Sequence, residues 1–222
     1  MIQIPRKEAA IFVFGDSICA GAVDTKGGWV VRLQKYLIEN DMIDYSTYLY
    51  NLGVDAHTSE DILARFENET RSRLPHQEER KVFIFAFGIN DSCFFKDGHS
   101  LVDKERFKQN TLKIIMAQRK FGGDVFFVGL TPVYEKKTNP LPYSRTGKIF
   151  TNKRILEYNS ILKGICKKEG ILFIDMPKKL FREAPSLVPD GIHPNNEAHK
   201  MIFETVKNKL KNSMVFADWP KR

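Results

Sequence analysis

Apolar runs typical of buried strands alternate with segments typical of amphipathic helices along this 222-residue chain. Most of the predicted strands are continuous apolar runs, as in parallel strands covered on both faces, and they lie at residues 11–14, 47–52, 82–87, 125–130 and 171–174. The predicted helices carry apolar residues at helical spacing and lie at residues 28–38, 60–74, 104–121, 152–169 and 196–212. This alternation predicts one α/β domain over residues 1–222, with a parallel sheet and helices on both of its faces.

Polar residues that favour helix N-caps stand just before three of the predicted helices. Ser59 precedes the second helix, Asp103 the third and Asn195 the last. The side-chain oxygen of such a residue accepts a hydrogen bond from an unpaired N–H in the first helical turn. We therefore expect these three side chains to cap their helices.

The composition argues against several classes of protein. With 42% hydrophobic and 28% charged residues, a folded chain is expected rather than a disordered one. No apolar run approaches the roughly 20 residues of a membrane span, and MIQIPRKE at residues 1–8 lacks the features of a secretory signal, so we expect a cytoplasmic protein without a membrane span. The net charge of +8 is spread over the predicted helices, which favours solvated helix faces over a nucleic-acid partner.

The cysteines indicate neither a disulfide framework nor a zinc site. Cys19, Cys93 and Cys166 are odd in number and have no CxxC spacing. We expect all three to be reduced. Cys19 lies near the first predicted turn, and we interpret it as a small buried residue rather than a redox thiol.

Residues with useful chemistry follow the predicted strands, and ligands of open parallel sheets bind beyond the carboxyl ends of the strands. Ser17 follows the first strand, Gly53 the second and Asn90 the third. Asp190 and His193 follow the fifth strand after an intervening loop. A hydroxyl, a backbone N–H, a side-chain amide and a carboxylate beside an imidazole therefore meet at one edge, and this combination suits acyl transfer.

A serine hydroxyl attacks a carbonyl only when a base takes its proton, and the base works best when a carboxylate orients it. His193 and Asp190, three residues apart, have the types and spacing for these two roles beside Ser17. The developing oxyanion requires donors, which the backbone N–H groups of Ser17 and Gly53 and the Asn90 amide can supply. Taken singly, His193 also fits a structural or capping histidine, Gly53 a turn glycine and Asn90 a turn side chain.

Four short motifs occur in chain order: FGDSI at residues 14–18, NLG at 51–53, GIND at 88–91 and DGIHP at 190–194. Together they resemble the sequence blocks of the SGNH hydrolases, the GDSL esterase/lipase family. The resemblance implies a flavodoxin-like three-layer α/β/α sandwich with a five-stranded parallel sheet of order 2-1-3-4-5 and no metal. It also implies that Ser17 is the nucleophile and that His193 is the base, oriented by Asp190. Gly53 and Asn90 are implied as two further oxyanion-hole donors.

Two positions depart from the usual pattern of the family. Ile18 stands where the family name has leucine, an apolar exchange that should leave the chemistry alone. Ala56 stands three residues after Gly53, where a second glycine is common, and is followed by His57. His57 is therefore a candidate for narrowing or polarising the acyl pocket, with a surface histidine as the alternative.

Other residues near the motifs are candidates for support or specificity. We interpret Asp16 and Asp91 as hydrogen-bond acceptors that fix their loops. The segment 132–150 is long for a connection and carries Lys136, Lys137 and Arg145. We expect it to cover the acyl or leaving-group side of the site, with these cations facing an anionic leaving group. The alternative is an ordinary surface loop. The candidate pocket residues are His57, Cys93, Phe94, Phe95, Tyr134 and Tyr143.

These features predict a serine hydrolase that cleaves carboxylic esters or thioesters of small molecules through an acyl-enzyme, with no cofactor. A non-catalytic acyl- or carbohydrate-binding module on the same scaffold is the main alternative. A protein that binds phosphate at its first turn is less favoured, because residues 15–21 lack both glycine-rich phosphate motifs. A metal-dependent hydrolase using Asp16, Asp190 and His193 is a related but still less favoured alternative. Simple esterase, lysophospholipase, thioesterase and carbohydrate acetylesterase activities stay open, as does the oligomeric state.

Overall fold

The chain folds around a five-stranded parallel sheet in a computed structural model that describes residues 9–40, 47–74 and 80–213. The strand order is 2-1-3-4-5, as predicted. The strands are β1 (Ala9–Gly15), β2 (Thr47–Gly53), β3 (Arg80–Ala86), β4 (Asp124–Val128) and β5 (Leu172–Ile174). All pairings are parallel, so the carboxyl ends of the strands share one edge of the sheet.

Helices cover both faces of this sheet. The long helices are α2 (Gly28–Glu39), α3 (Ser59–Arg71), α4 (Lys104–Arg119), α5 (Asn152–Glu169) and α8 (Asn196–Lys211). Helix α2 packs against α8, while α3 packs against α4 and α4 against α5. These five helices match the five predicted from periodicity, and together with the sheet they confirm the three-layer α/β/α architecture.

Aromatic side chains fill the space between the central strands and α3. Phe12 stacks on Phe83 with ring centres 5.1 Å apart, and Phe14 lies 5.8 Å from Phe85. Phe66 of α3 packs on Phe14 at 5.1 Å. All five rings are fully buried. This close packing makes β1 and β3 a rigid base for the residues that follow them.

The structure corrects some predicted boundaries. The third strand ends at Ala86 and the fourth at Val128, so Phe87 and Leu130 are buried beyond the ladder rather than in it. Thr58, not Ser59, caps α3, because Asp61 accepts from both the backbone N–H and the hydroxyl of Thr58 in a capping box. The predicted caps Asp103 and Asn195 are confirmed.

Several short elements are too brief for periodicity to reveal. They are α1 (Ser17–Ala20), a 3₁₀ turn (Glu135–Lys137), α6 (Lys178–Arg182) and α7 (Ala184–Leu187). The cysteines at positions 19, 93 and 166 are unpaired, as expected, and all three are buried. Within the described ranges, no helix has the length and apolar character needed to cross a membrane.

Candidate active site

The nucleophile candidate sits at the turn between β1 and the short helix α1. Asp16 caps α1, because its Oδ1 accepts from the backbone N–H of Ile18 at 2.9 Å. Ser17 is the first residue of α1, and its side chain reaches the edge where the strands end. The turn therefore presents one hydroxyl at the carboxyl end of a buried central strand.

Ser17, His193 and Asp190 form one continuous hydrogen-bonded chain. Ser17 Oγ lies 2.9 Å from His193 Nε2, across 176 residues of sequence. His193 Nδ1 lies 2.6 Å from Asp190 Oδ2. The side chains of His193 and Asp190 are 20% and 28% exposed, so a substrate can approach while most of the imidazole stays covered. This is the arrangement in which a histidine takes a proton from serine and a carboxylate orients it.

The Asp190 carboxylate also shapes its own loop. Its Oδ1 accepts from the backbone N–H groups of Ile192, at 2.9 Å, and of His193, at 2.8 Å. Burial raises the pKa of Asp190, but the hydrogen bonds from the His193 ring and from these two N–H groups outweigh it and hold the pKa below its usual value. Asp190 is therefore ionised at neutral pH, as an orienting carboxylate must be.

Asn90 is placed by a hydrogen bond to the neighbouring loop. Its Nδ2 donates to the backbone carbonyl of His57 at 3.0 Å, and the side-chain amide has a second N–H. Asp91, the next residue, accepts from the backbone N–H of Ser59 at 2.9 and 3.1 Å, so the loop after β3 is fixed to the start of α3. The backbone N–H of Ser17 makes no hydrogen bond within the described residues.

Gly53 behaves differently from the other predicted donors. Its N–H donates to Oδ1 of Asn51 at 3.1 Å, and Nδ2 of Asn51 donates to the carbonyl of Cys19 at 2.9 Å. A Cβ at Gly53 would lie 2.8 Å from the carbonyl oxygen of Asp16, so the glycine is required for close packing against α1. Gly53 as an oxyanion donor stays a prediction, and it requires this N–H to leave Asn51.

Two buried carboxyl groups, those of Asp16 and Asp91, lie next to the site. Asp16 is 2% exposed and Asp91 is fully buried. Burial raises the pKa of each to about 7, against the opposing effect of their hydrogen bonds from Ile18 and Ser59. Both act as acceptors that fix their loops, as the sequence predicts.

Three candidate pocket residues lie on the loop after Asn90. Cys93 is fully buried, and its role as a pocket residue stays a prediction. Phe94 pairs with Ile149 through two backbone hydrogen bonds and lies under the Arg154 guanidinium. Phe95 stacks on His99 with ring centres 4.2 Å apart.

The long segment 132–150 packs against the loop that carries the histidine. The N–H of Tyr134 donates to the carbonyl of Gly191 at 2.8 Å, and Lys137 Nζ donates to the carbonyl of Pro189 at 2.6 Å. Gly191 has φ of +106°, and a Cβ there would lie 2.7 Å from Cγ2 of Thr138. These contacts show that the segment supports the loop that carries Asp190 and His193.

Tyr143 lies on the same segment, and the effects of partial burial and of the Asp190 charge raise its pKa. The residue is 57% exposed. His57, by contrast, directs its ring at α3, where Nδ1 accepts from Nε of Arg65 at 3.2 Å. Arg65 lies in none of the four motifs, and Asn51 lies in NLG without a role predicted for it, because both roles arise from contacts between elements.

The sequence profile of the GDSL-like lipase/acylhydrolase family matches residues 13–201. The chain belongs to this family. The matched range contains all the site residues above. Among the described residues of this GDSL-family protein, no cluster of three His, Cys, Asp or Glu side chains is arranged to hold a metal ion.

Other proteins resemble the chain over most of its length. A lipase/acylhydrolase from Enterococcus faecalis has a TM-score of 0.69 at 20% identity, covering 91% of this chain and 95% of its own. Axe2, an acetylxylan esterase from Geobacillus stearothermophilus, has a TM-score of 0.69 at 16% identity, covering 93% and 96%. At these identities the two structures show the shared fold. The Bacillus subtilis (strain 168) lipoprotein YqeF is 23% identical over 180 residues, 72% of each chain.

Proposed function

We propose that this GDSL-family protein is a serine hydrolase that cleaves carboxylic esters or thioesters of small molecules through an acyl-enzyme intermediate. The observation that carries the proposal is the continuous chain of contacts from Ser17 through His193 to Asp190, of 2.9 and 2.6 Å. Membership of an acylhydrolase family supports the reaction class. Asp190 accepts a hydrogen bond from Nδ1–H of His193, which leaves Nε2 free to accept the proton of Ser17.

In the first half of the reaction, Ser17 Oγ attacks the carbonyl carbon while its proton passes to His193 Nε2. The oxyanion that forms receives hydrogen bonds from the second N–H of the Asn90 amide and from the backbone N–H of Ser17. The tetrahedral intermediate then collapses, the bond to the leaving group breaks, and His193 gives its proton to the departing oxygen or sulfur. Ser17 is left as an acyl ester.

In the second half, a water molecule gives a proton to His193 Nε2 and attacks the acyl carbon. The Ser17–acyl bond breaks, the proton returns to Ser17, and the carboxylic acid leaves. Proton transfers of this kind typically contribute about 10² to 10⁴ in rate. No group other than substrate and water is consumed.

The test of the proposal is turnover and covalent labelling of Ser17. The parent protein is incubated with p-nitrophenyl acetate and, separately, with a fluorophosphonate, whose site of attachment is read by mass spectrometry. We expect turnover, a single label on Ser17, and loss of both in Ser17→Ala. Ser160→Ala is the matched control, because this exposed hydroxyl only donates to the Leu156 carbonyl.

Two results would contradict the proposal. Undiminished turnover in Ser17→Ala refutes the mechanism, and a folded parent protein that hydrolyses no activated ester favours the acyl- or carbohydrate-binding module. A panel of short- and long-chain acyl esters, acyl thioesters and acetylated sugars then identifies the substrate class. The names of the relatives direct attention to acetylated carbohydrates and lipids alike. A cytoplasmic location and the absence of a nucleic-acid partner stay predictions from the sequence.

A further inference from the structure

Arg65 lies on α3, and its guanidinium contacts three groups at the end of the sheet. Nη2 donates to the carbonyl oxygens of Leu52, at 2.6 Å, and of Gly15, at 3.2 Å. Nε donates to Nδ1 of His57 at 3.2 Å. One planar cation thus joins the carboxyl ends of β1 and β2 to the loop before α3.

These contacts enclose the loop of residues 53–57. Leu52 precedes this loop and His57 is its last residue, so Arg65 holds both of its ends. The Arg65 side chain is only 14% exposed, and its guanidinium carbon lies 5.4 Å from the centre of the Phe14 ring. Burial lowers the pKa of the guanidinium, yet an arginine keeps its charge at neutral pH. The loop is therefore tied to a fixed charged group.

His57 transmits this restraint to the candidate oxyanion hole. Its backbone carbonyl accepts the 3.0 Å hydrogen bond from Asn90 Nδ2, so the position of the Asn90 amide depends on the position of the His57 peptide. We infer that Arg65 is a positioning residue that holds the Asn90 oxyanion donor in place through His57. The inference rests on the proposed function, in which Asn90 stabilises the oxyanion.

The geometry requires an arginine rather than any cation. The guanidinium presents donors in a rigid fork, and here two of its nitrogens serve acceptors on different residues. A lysine keeps the charge but has a single nitrogen on a flexible chain, and it cannot hold Leu52 and His57 in the same fixed relation. Arg65→Lys should therefore be defective although the charge is retained.

The first measurement is kcat and KM on p-nitrophenyl acetate for Arg65→Lys and Arg65→Met. We expect kcat to fall about 10- to 100-fold with little change in KM, since a displacement of about 1 Å can cost 10²-fold. Arg71→Met is the control on the same helix, because that side chain is 64% exposed and pairs with Glu67. Arg65 variants with kcat within about twofold of the parent would overturn the inference.

A second measurement separates positioning from general damage. If Arg65 acts through Asn90, then Arg65→Met costs much less in an Asn90→Ala background than in the parent. Equal losses in both backgrounds would show that Arg65 does not act through Asn90. Melting temperatures are compared with that of Arg71→Met, so that loss of folded protein is not counted as loss of catalysis.

A third measurement uses His57 and does not depend on Arg65 variants folding. In His57→Asn the side-chain oxygen can take the place of Nδ1 as acceptor, so we expect a smaller loss of kcat than in His57→Leu, which loses the acceptor and should resemble Arg65→Met. Equal activity of these two variants would also overturn the inference. NMR of the ¹⁵N-labelled Asn90 amide reports its displacement in Arg65→Met even if the parent hydrolyses no ester, which separates failure of this inference from failure of the proposed function.

Discussion

The carboxylate of Asp190 holds His193 at two points, the ring and the backbone. Oδ2 lies 2.6 Å from Nδ1 of the imidazole, and Oδ1 lies 2.8 Å from the backbone nitrogen of the same residue. The first contact sets the tautomer and the second sets the place of the ring relative to the loop. The direction in which Nε2 points, toward Ser17, follows from both.

Asp190→Asn separates the effect of the carboxylate on the imidazole ring from its effect on the backbone of the loop. The asparagine oxygen can still accept the backbone N–H groups, but its amide cannot both accept from Nδ1 and stabilise a positive imidazole. We expect kcat to fall by about 10³- to 10⁴-fold with little loss of stability, as carboxylate-to-amide changes do in serine hydrolase triads. Asp175→Asn, which disturbs only an exposed ion pair with Lys163, is the control. A variant with a tenth or more of parental kcat would contradict the role assigned to Asp190.

Asn90→Ala tests the proposed role of the Asn90 amide as an oxyanion donor. Loss of one such donor typically costs about 10² to 10³ in kcat, and KM should change little, because the ground-state carbonyl carries less charge than the oxyanion. Asn68→Ala, an exposed position on α3, should leave both constants unchanged. If kcat survives in Asn90→Ala, the oxyanion is stabilised by backbone N–H groups alone, and Gly53 returns as the donor to examine.

The fold was predictable because its signals are local. Continuous apolar runs such as the one ending at Phe14 predict buried parallel strands, and the polar residue after each strand then falls at the common edge. Ser17, Asn90, Asp190 and His193 could be grouped on this ground alone. The residue types and chain order narrowed the chemistry further.

The supporting contacts were not predictable because they depend on how distant elements meet. Arg65 reads as an ordinary helix residue until α3 is placed beside the ends of β1 and β2. The engagement of the Gly53 N–H by Asn51 likewise depends on how the edge strand lies against α1. Thr58 rather than Ser59 caps α3, and the Ser59 hydroxyl instead accepts from Nδ2 of Asn110, 51 residues away, at 3.0 Å.

Asp16→Asn should stabilise the protein in a pH-dependent way. Burial raises the pKa of Asp16 from 3.8 to about 7 in the folded state, so the folded state resists ionisation and the free energy of unfolding falls as pH rises from about 4 through 7. Asparagine cannot ionise and can keep the acceptor for Ile18. We expect its advantage over the parent to grow from pH 5 to pH 8, at about 1.4 kcal/mol per unit of pKa shift as an upper bound.

Urea unfolding of both proteins at pH 5 and pH 8 measures this difference. Because the same protein pair is compared at each pH, all other titrating groups cancel to first order. A stability difference that does not change between the two pH values would show that Asp16 ionises without cost in the folded state.

The burial of His199 should make the free energy of unfolding depend on pH in the opposite direction. This residue of α8 is fully buried, and neither ring nitrogen has a hydrogen-bond partner of ordinary geometry in the described part of the chain. Burial lowers the pKa of His199 from 6.5 to about 4, so between these pH values the unfolded chain binds a proton that the folded protein does not bind. The free energy of unfolding therefore falls as pH falls from about 6.5 to 4.

His199→Leu removes both the buried polar ring and the loss of stability at low pH that its titration causes. We expect the variant to gain stability over the parent, with a larger gain at pH 5 than at pH 8, measured by urea unfolding. Met201→Leu, on the same helix and partly buried, is the control. A gain that is the same at both pH values would mean that the folded protein protonates His199 without penalty.

The cations of the segment 132–150 can be divided by their contacts. Lys136, Lys137 and Arg145 are all exposed, and Nζ of Lys137 donates to the Pro189 carbonyl at 2.6 Å. Lys137→Met should therefore lower kcat for every ester, because it loosens the loop that carries Asp190 and His193.

Lys136→Glu with Arg145→Glu should instead lower kcat/KM for esters with an anionic leaving group and spare neutral ones. Interactions between exposed charges are screened, so the selective loss should shrink when the ionic strength is raised to about 1 M. The measurement is kcat/KM for a matched neutral and anionic ester pair at low and high salt. Equal effects on both esters would mean that these two cations face solvent, and that the segment serves the site only by supporting the histidine loop.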